Sequence, residues 1–446
     1  MPTLAEGIGG RKRLIGGPFG SNLIQADYQK SGIPVIRGAN MSYNNRWIGG
    51  EFVFVSDRKV QNDLATNLAH PGDIIVTQRG TLGQVSMVPF DLPFEEYVVS
   101  QSQMAICVDP QVAEPLFVYY FLKSPVFSQY IDNAAIKVGV PHINLGLLRD
   151  TPVEWPQKSK QQSIASVLSA LDDKIELNRW MNETLEASAQ AIFKDWFVDF
   201  GPVRRKLEGA TDPVALLGGL MPNATRAADI AGLFPGSFGD DGLPEGWDEK
   251  PFSDFVDIIG GGTPKTSEPT YWNGDFPWFS VVDTPSGSDT FVFRTEKTIT
   301  PRGLSGSSAR LISPGTTIIT ARGTVGNLAI AGREMTFNQS CYALRSLKDL
   351  HPFFTYLAAK QVVERLKSMA HGSVFSTITR QTFENVNLPT SSIEIRDAFE
   401  KLSAPLLERI SASVQENRTL AETRDYLLPK LMSGEVRVRD AQEAVS

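Results

Sequence analysis

Cysteine is almost missing from this chain. Cys107 and Cys341 stand far apart with no C-x-x-C, which excludes a disulfide framework and leaves a thiolate metal site without ligands. Histidine is as scarce: His70, His142, His351 and His371 show no metal-ligand spacing. No apolar run approaches the roughly 18 residues of a membrane-spanning helix. The opening "MPTLAEGIGGRKRLIGG" lacks the apolar centre of a signal peptide. A cytosolic, metal-free protein is the expectation. A dominant charge is missing too. The net charge is −7, but residues 1–155 carry 12 basic and 14 acidic side chains, residues 251–388 carry 13 and 11, and residues 211–250 carry 2 and 7. Most of the acidity therefore sits in one short stretch, and neither flanking region is acidic enough to exclude nucleic acid.

Catalytic signatures are also absent. There is no G-x-x-x-x-G-K-[ST] phosphate loop, and "IIGGGTPKT" reads as a turn. There is no Asn/Asp-Pro-Pro-Tyr/Phe motif of an amino-methyltransferase, no H-E-x-x-H and no G-x-S-x-G. The carboxylate pairs Glu95–Glu96 and Asp172–Asp173 read as solvated charges.

What the chain does have is a phrase written twice. "IVTQRGTLGQ" (75–84) returns as "IITARGTVGN" (318–327), 243 residues later (318 − 75). The match extends from "HPGDIIVTQRGTLGQ" and "SPGTTIITARGTVGN" to "GIPVIRGAN" and "DFPWFSVVD", and to "SQSQMAI" and "NQSCYAL". Each copy then reaches a glycine (Gly139, Gly372), a proline (Pro156, Pro389) and a helical segment. "DIIVTQ" and "TTIITA" are β-branched runs after Pro-Gly turns and read as strands, while "EPLFVYYFLKSPVFSQYI" and "HPFFTYLAAKQVVERLKSMA" have helical spacing. Each copy is thus a mixed α/β (α+β) lobe.

The segments after the prolines carry a heptad seam. In the first, Ile164, Leu168, Leu171, Ile175, Asn178, Asn182, Leu185, Ala189 and Ile192 recur at steps of four and three. In the second, Leu406, Ile410, Asn417 and Leu420 repeat the pattern, with Ser403, Ser413 and Arg424 as imperfections and Pro405 expected to kink or interrupt the helix. Such helices span about 50–60 Å. Paired antiparallel, they would form a spacer with the lobes at opposite ends, related by a pseudo-twofold axis. A helix packing only on its own lobe is the plainer alternative.

At this point the residues resemble a known family, the DNA-specificity subunits of type I restriction–modification systems. The resemblance rests on "GGPFGSNL", "GIPVIRGAN" and "HPGDIIVTQRGTLGQ" early in the chain. In the middle it rests on "LDDKIELNRWMNETLEASAQAIFKDWFVDFGPV" and "LFPGSFGDDGLPEGW", and near the end on "ENRTLAETRDYLLPKLMSGEVRV". It implies target recognition domains at 1–156 and 247–389. It implies spacer helices at 157–200 and 390–435, a linker at 201–246 and a tail at 436–446. Each lobe would bind one half of a split sequence in double-stranded DNA. The helices would dock two modification (methyltransferase) subunits, and restriction (endonuclease/translocase) subunits would join them. S-adenosylmethionine, ATP and Mg would be bound by those partners, none by this chain, which would be non-catalytic. One departure is the start: lobe two is preceded by "LPEGWDEKPFSDF", whereas lobe one lacks a matching lead-in, so its N-terminal edge is expected to be incomplete.

A pseudo-dimer sorts its own residues. Side chains shared by both lobes cannot distinguish two different half-sites, so they should be scaffold or phosphate contacts. Arg79, Gly80 and Thr81 match Arg322, Gly323 and Thr324: arginine and threonine can donate to phosphate, and glycine permits close approach. A turn whose arginine pairs with a neighbouring carboxylate is the competing reading. Gln101 and Gln339 are shared as well, and fit internal amide bridges equally. Base reading should fall where the lobes differ. The candidates are Arg37, Asn40, Asn44, Asn45, Arg46, Gln84, His142 and Asn144 in lobe one. In lobe two they are Lys265, Asp283, Ser286, Ser288, Arg294, Asn327, His371, Ser373 and Ser376. Ile175, Asn182, Leu185, Ile410, Asn417 and Leu420 are the helix seam, and the extra apolar residues Trp180, Phe193, Trp196 and Phe197 are expected to bind the methyltransferase. Two other classes remain open: a two-lobed coiled-coil scaffold that does not act on DNA, and an enzyme with its site between lobes.

Overall fold

The structure, a computed structural model, describes residues 2–42, 45–134, 142–221, 223–285, 287, 289–347, 350–369 and 377–445. The chain forms two compact units. One is Met1–Ile175 with Thr419–Ser446, and the other is Glu176–Arg418.

In the first unit, Gly72 (φ +92°) closes the Pro-Gly turn before the strand Ile74–Thr77, all four of whose side chains are buried. That strand lies between Gln103–Ile106 and Val85–Met87, with Leu14–Gly16 on the edge, all antiparallel. A second sheet runs Val53–Val55, Ile33–Ile36, Tyr97–Val99, Leu68–Ala69, with a parallel pairing between Ile33–Ile36 and Tyr97–Val99. The apolar stretch read as one helix is two, Pro115–Lys123 and Pro125–Ala134. Pro125 holds Ser124 at ψ 152°, outside the helical region. These helices share one core with the first sheet and with Ile164, Leu168, Leu171, Leu427, Leu428 and Leu431 of the long helices.

The second unit repeats the plan. Its larger sheet has the order Val256–Gly260, Cys341–Ser346, Thr317–Thr320, Leu328–Ala331, Phe291–Val292, so the first four strands match those of lobe one in order and direction. The parallel pairing also returns, between Trp272–Phe279 and Thr336–Phe337. Helix Pro352–Met369 fills the role of the two shorter helices. The lead-in Asp248–Pro251 pairs with Asn387–Thr390. Lobe one has a reduced counterpart, Thr3 bridging Pro152, with Leu4 and Ile8 fully buried behind it.

Both long helices form. The first is Lys158–Phe197, a stretch without Pro or Gly. Soon after it the chain turns at Phe200 (φ +55°), a left-handed position costing about 1–2 kcal/mol for a side chain with Cβ and held here by packing on Phe238 and Trp247. The second is Ile393–Ser433, closed by Gly434 at φ +77°. The helix runs through Pro405 without interruption. Pro405 is exposed, so water can take the carbonyl that its missing N–H leaves unpaired. Within each unit the helices run antiparallel. In the second unit, Asn178 meets Asn417 while Phe193 and Phe197 meet Phe399.

The seam is buried along its length in the first helix, with Leu185 only partly so. In the second helix Leu407, not Leu406, is the fully buried member, and Leu420 is partly buried. Ser403 and Ser413 are fully buried members of the seam, and Arg424 lies on it with its guanidinium paired to Asp172 at 2.6 Å. Segment 201–246 is folded. It carries the helices Gly201–Leu207, Pro213–Leu216 and Ala224–Leu233, and its Leu216, Met221, Ile230 and Phe234 join the core of the second unit.

Candidate nucleic-acid interface

The repeated phrase forms the same hairpin in each lobe. In lobe one, Thr77 N–H donates to Gln84 C=O (3.0 Å), and Gln78 and Arg79 N–H both donate to Ser102 C=O (2.7 and 3.3 Å). In lobe two, Thr320 N–H donates to Asn327 C=O (2.9 Å), and Ala321 and Arg322 N–H donate to Ser340 C=O (2.7 and 3.2 Å). Ile143 closes one turn from behind through Gln78 C=O, and Ile378 closes the other through Ala321 C=O. Gly80 (φ +90°) and Gly323 (φ +81°) need glycine for the same left-handed step. The result is an exposed Arg-Gly-Thr tip on a strand pair whose inner side chains are buried. Among the described residues, neither Arg79 nor Arg322 forms an ion pair, so the carboxylate-paired turn is not what is seen.

The shared glutamines bond within their own lobes. Gln101 Nε2 donates to the carbonyls of Gly20 (2.6 Å) and Leu23 (3.0 Å), and Gln339 Oε1 accepts from the Thr263 hydroxyl. Behind each, a glycine is pressed onto backbone. A Cβ on Gly17 would lie 2.1 Å from Ser100 O, and one on Gly261 would lie 2.0 Å from Asn338 O.

Several base-reading candidates turn out to hold the lobe together. Asn40 is buried; its Oδ1 accepts from Arg37 N–H (3.0 Å) and its Nδ2 donates to Gly49 and Glu51 C=O (3.0 and 3.1 Å). Asp283, its partner in the repeat, does likewise for Ser280 (N–H 2.8 Å, hydroxyl 2.9 Å) and also takes Glu296 N–H (2.6 Å). Each is thus engaged in closing a turn inside its lobe, a role the sequence does not distinguish from base reading. Arg46 is corrected as a base reader: it is buried, ion-paired to Asp173 of the first long helix and stacked 4.6 Å from the Trp47 ring. Asn144 Oδ1 caps Leu145–Arg149 by accepting from Leu147 N–H (2.9 Å). Gln84 Oε1 accepts from the Thr77 hydroxyl (3.2 Å). Arg37 lies half-buried over the Tyr28 ring (5.9 Å), and His142 bridges Arg79 through backbone. Asn45, Lys265, Arg294 and Asn327 are exposed, and Thr81 and Thr324 lie on the tips with their arginines. Asn44, Ser286, Ser288, His371, Ser373 and Ser376, with the landmarks Gly139 and Gly372, lie outside the described residues.

Three of the four expected docking aromatics are core. Phe193, Trp196 and Phe197 are at most 5% exposed, and Trp196 meets Phe234 and Phe399 edge-on at 5.1 and 6.0 Å. Segment 201–246 folds across the face they would have offered. Trp180 is 57% exposed, with Leu177 one turn before it at 56%. Phe19, an apolar residue, is not among the polar candidates. It is 83% exposed, on the glycine-rich loop that Gln101 pins.

Beside Pro352–Met369 in the second unit lies a polar cavity of about 280 Å³. Tyr356 hydroxyl and Lys360 ammonium both donate to Glu186 Oε1 (2.6 Å each), and burial pushes the Asp289 carboxyl up. Glu186 is thus paired within the cavity, whereas Asp289 Oδ1 is buried with no hydrogen-bond partner among the described residues. Among the described residues no group of His, Cys, Asp or Glu is arranged to hold a metal ion, and no helix is long and apolar enough to cross a membrane.

A tandem of mixed α/β lobes, each ending in a long helix and each showing the same cationic turn, defines a class of two-domain recognition proteins. The model of the type I restriction modification DNA specificity domain matches residues 20–187 and 244–416. The HindI specificity subunit of Haemophilus influenzae, a type I restriction enzyme subunit, is 30% identical over 429 residues, covering 88% of this chain and 92% of its own. The MjaIX specificity subunit of Methanocaldococcus jannaschii is 22% identical over 400 residues, covering 87% and 85%. The solved S subunit of a type I restriction–modification system from M. genitalium is 15% identical, covers 93% of this chain and 98% of its own, and superposes with a TM-score of 0.47. The chain belongs to the type I restriction–modification DNA specificity family.

Proposed function

We propose that this chain is the non-catalytic reader of a type I complex in the cytoplasm, each lobe recognising one half of a bipartite double-stranded DNA target. The observation that carries the reading is the duplicated Arg-Gly-Thr turn, exposed and unpaired in both lobes among the described residues and flanked by side chains that differ. A shared cation suits phosphate, which is the same in every sequence; the differing flanks suit bases. The long helices recruit two methyltransferase subunits, which bring S-adenosylmethionine, and restriction subunits bring ATP and Mg to the same assembly. This chain's own residues then orient DNA and partner, and no bond changes on them.

The experiment maps methylated adenines in the host genome with the gene intact, deleted, and carrying residues 1–156 of a relative. The expected result is loss of a split motif on deletion and replacement of one half of it on exchange. A motif rewritten in both halves would overturn the independent-reader assignment. An unchanged methylome on deletion would favour the scaffold reading.

A further inference from the structure

The two lobes pin a glycine-rich loop in the same way and then place different chemistry on it. Gly17 and Gly261 make the same close approach to the following strand's turn. That turn supplies, two residues on, the carbonyl that holds the Arg-Gly-Thr tip: Ser102 for Arg79 and Ser340 for Arg322. The residue two beyond the pinned glycine is Phe19 in lobe one and Thr263 in lobe two. Thr263 turns its hydroxyl inward to Gln339. Phe19 turns outward and is 83% exposed.

A single exposed phenylalanine is ordinary on a protein surface. The backbone that carries this one is pinned. Pro18 before it is buried, its own carbonyl accepts from Asn22 N–H (3.2 Å), and the next carbonyl, of Gly20, is taken by Gln101. Gly20 itself sits at φ +55° with open space where a Cβ would be. A pinned loop thus carries an exposed aromatic on the same Ser100–Ser102 turn that holds Arg79, a cation that recurs in both lobes and has no ion pair among the described residues, and it does so at a position where the lobes differ. A phenylalanine has no donor or acceptor, so it tells one base from another only by apolar contact. In the major groove the apolar group on a base edge is the C5 methyl of thymine.

We infer that Phe19 is a specificity-determining residue of the first lobe, contacting a thymine methyl in the half-site that lobe reads. This rests on the DNA-reading role proposed above. The test uses the full chain assembled with its methyltransferase subunits. Each thymine of the target is replaced in turn by uracil, which deletes only the methyl. Wild-type binding should fall about fourfold at one uracil position in one half-site. Phe19→Ala should show the same loss on the thymine duplex and no further loss at that uracil. Phe19→Leu should recover part of it, and the salt dependence of binding should not change. A Phe19→Ala complex that still discriminates thymine from uracil everywhere overturns the inference, as does wild type indifferent to every uracil. Arg79→Ala separates the two levels. If it weakens all sequences while Phe19→Ala changes nothing, Phe19 is no reader and the DNA face stands. If both leave binding untouched, the DNA face is misplaced and both assignments fall.

Discussion

Arg79 and Arg322 show what a repeat can and cannot reveal about single residues. Their equivalence is visible in the sequence because the flanking strand, turn and glycine all recur with them, and the bonds made by Thr77, Gln78 and Arg79 N–H return at Thr320, Ala321 and Arg322. Replacing either by alanine should weaken binding to every duplex alike and reduce the slope of log K against log salt by about one. Titration of specific and random duplexes at two salt concentrations reads this directly; a changed base preference at constant slope would contradict it. Asn40 and Asp283 were not legible in the same way. A short polar side chain serves equally as a base reader and as a turn closer, and only the accepted N–H groups show which. The docking aromatics divide by the same kind of hidden fact. Trp196 fills the core, so its replacement by a polar residue should unfold the second unit. Trp180→Ser together with Leu177→Ser, on exposed helix, should leave folding intact and abolish co-purification with a methyltransferase subunit. Stoichiometric retention of that subunit by the folded double variant would count against the helix as docking surface.

At the scale of elements, the seam was legible as a period but not as a chemistry. Arg424 looks like a flaw in a heptad until Asp172 is seen facing it; the pair is nearly buried, with side chains 11% and 8% exposed. Tyr120 also donates to Asp172 (2.7 Å). Removing one partner strands a buried charge, whereas replacing both with apolar residues does not. Arg424→Ala should therefore destabilise the first unit by about 3–5 kcal/mol. The double change Asp172→Leu with Arg424→Met should recover most of that in denaturant unfolding. The polar layer Asn178, Asn182, Ser413 and Asn417 is costlier. Asn178 donates to Asn417 (2.9 Å), while Asn182 is fully buried with neither amide atom bonded among the described residues. Such a layer sacrifices stability and fixes register. Helix Pro352–Met369 adds a pH term. Its first N–H groups, of Phe353 and Phe354, donate to Glu400 (3.0 and 2.9 Å). Burial, assisted by the charge of Asp397, still pushes the Glu400 carboxyl up to about 7. The native state then holds this proton more tightly than the unfolded chain. The contribution of this group is fully present below the unfolded value of about 4.3 and is lost as pH rises to about 7, by no more than about 4 kcal/mol. Unfolding midpoints between pH 5 and 8 should fall accordingly, and Glu400→Gln should flatten that part of the curve.

For the molecule as a whole, duplication and helical spacers were legible from the sequence, because a copied phrase and a heptad period both survive in one dimension. The folding of 201–246 into the second core was not, since a stretch rich in Gly, Pro and Asp reads as a tether until Leu216, Met221, Ile230 and Phe234 are found inside. Nor was the boundary that cuts both long helices, which assigns Thr419–Ser446 to the unit that begins the chain. That boundary has a consequence in time rather than space. A ribosome that has finished Ile175 must still make the 243 residues of Glu176–Arg418 (418 − 175) before Leu427, Leu428 and Leu431 emerge to complete the core around Leu168 and Leu171. At about 5–20 residues per second that is a wait of roughly 10–50 s. The nascent first lobe passes that interval with an uncovered apolar flank, while the later-made second unit already has all its parts. The first to be translated is the last to be finished.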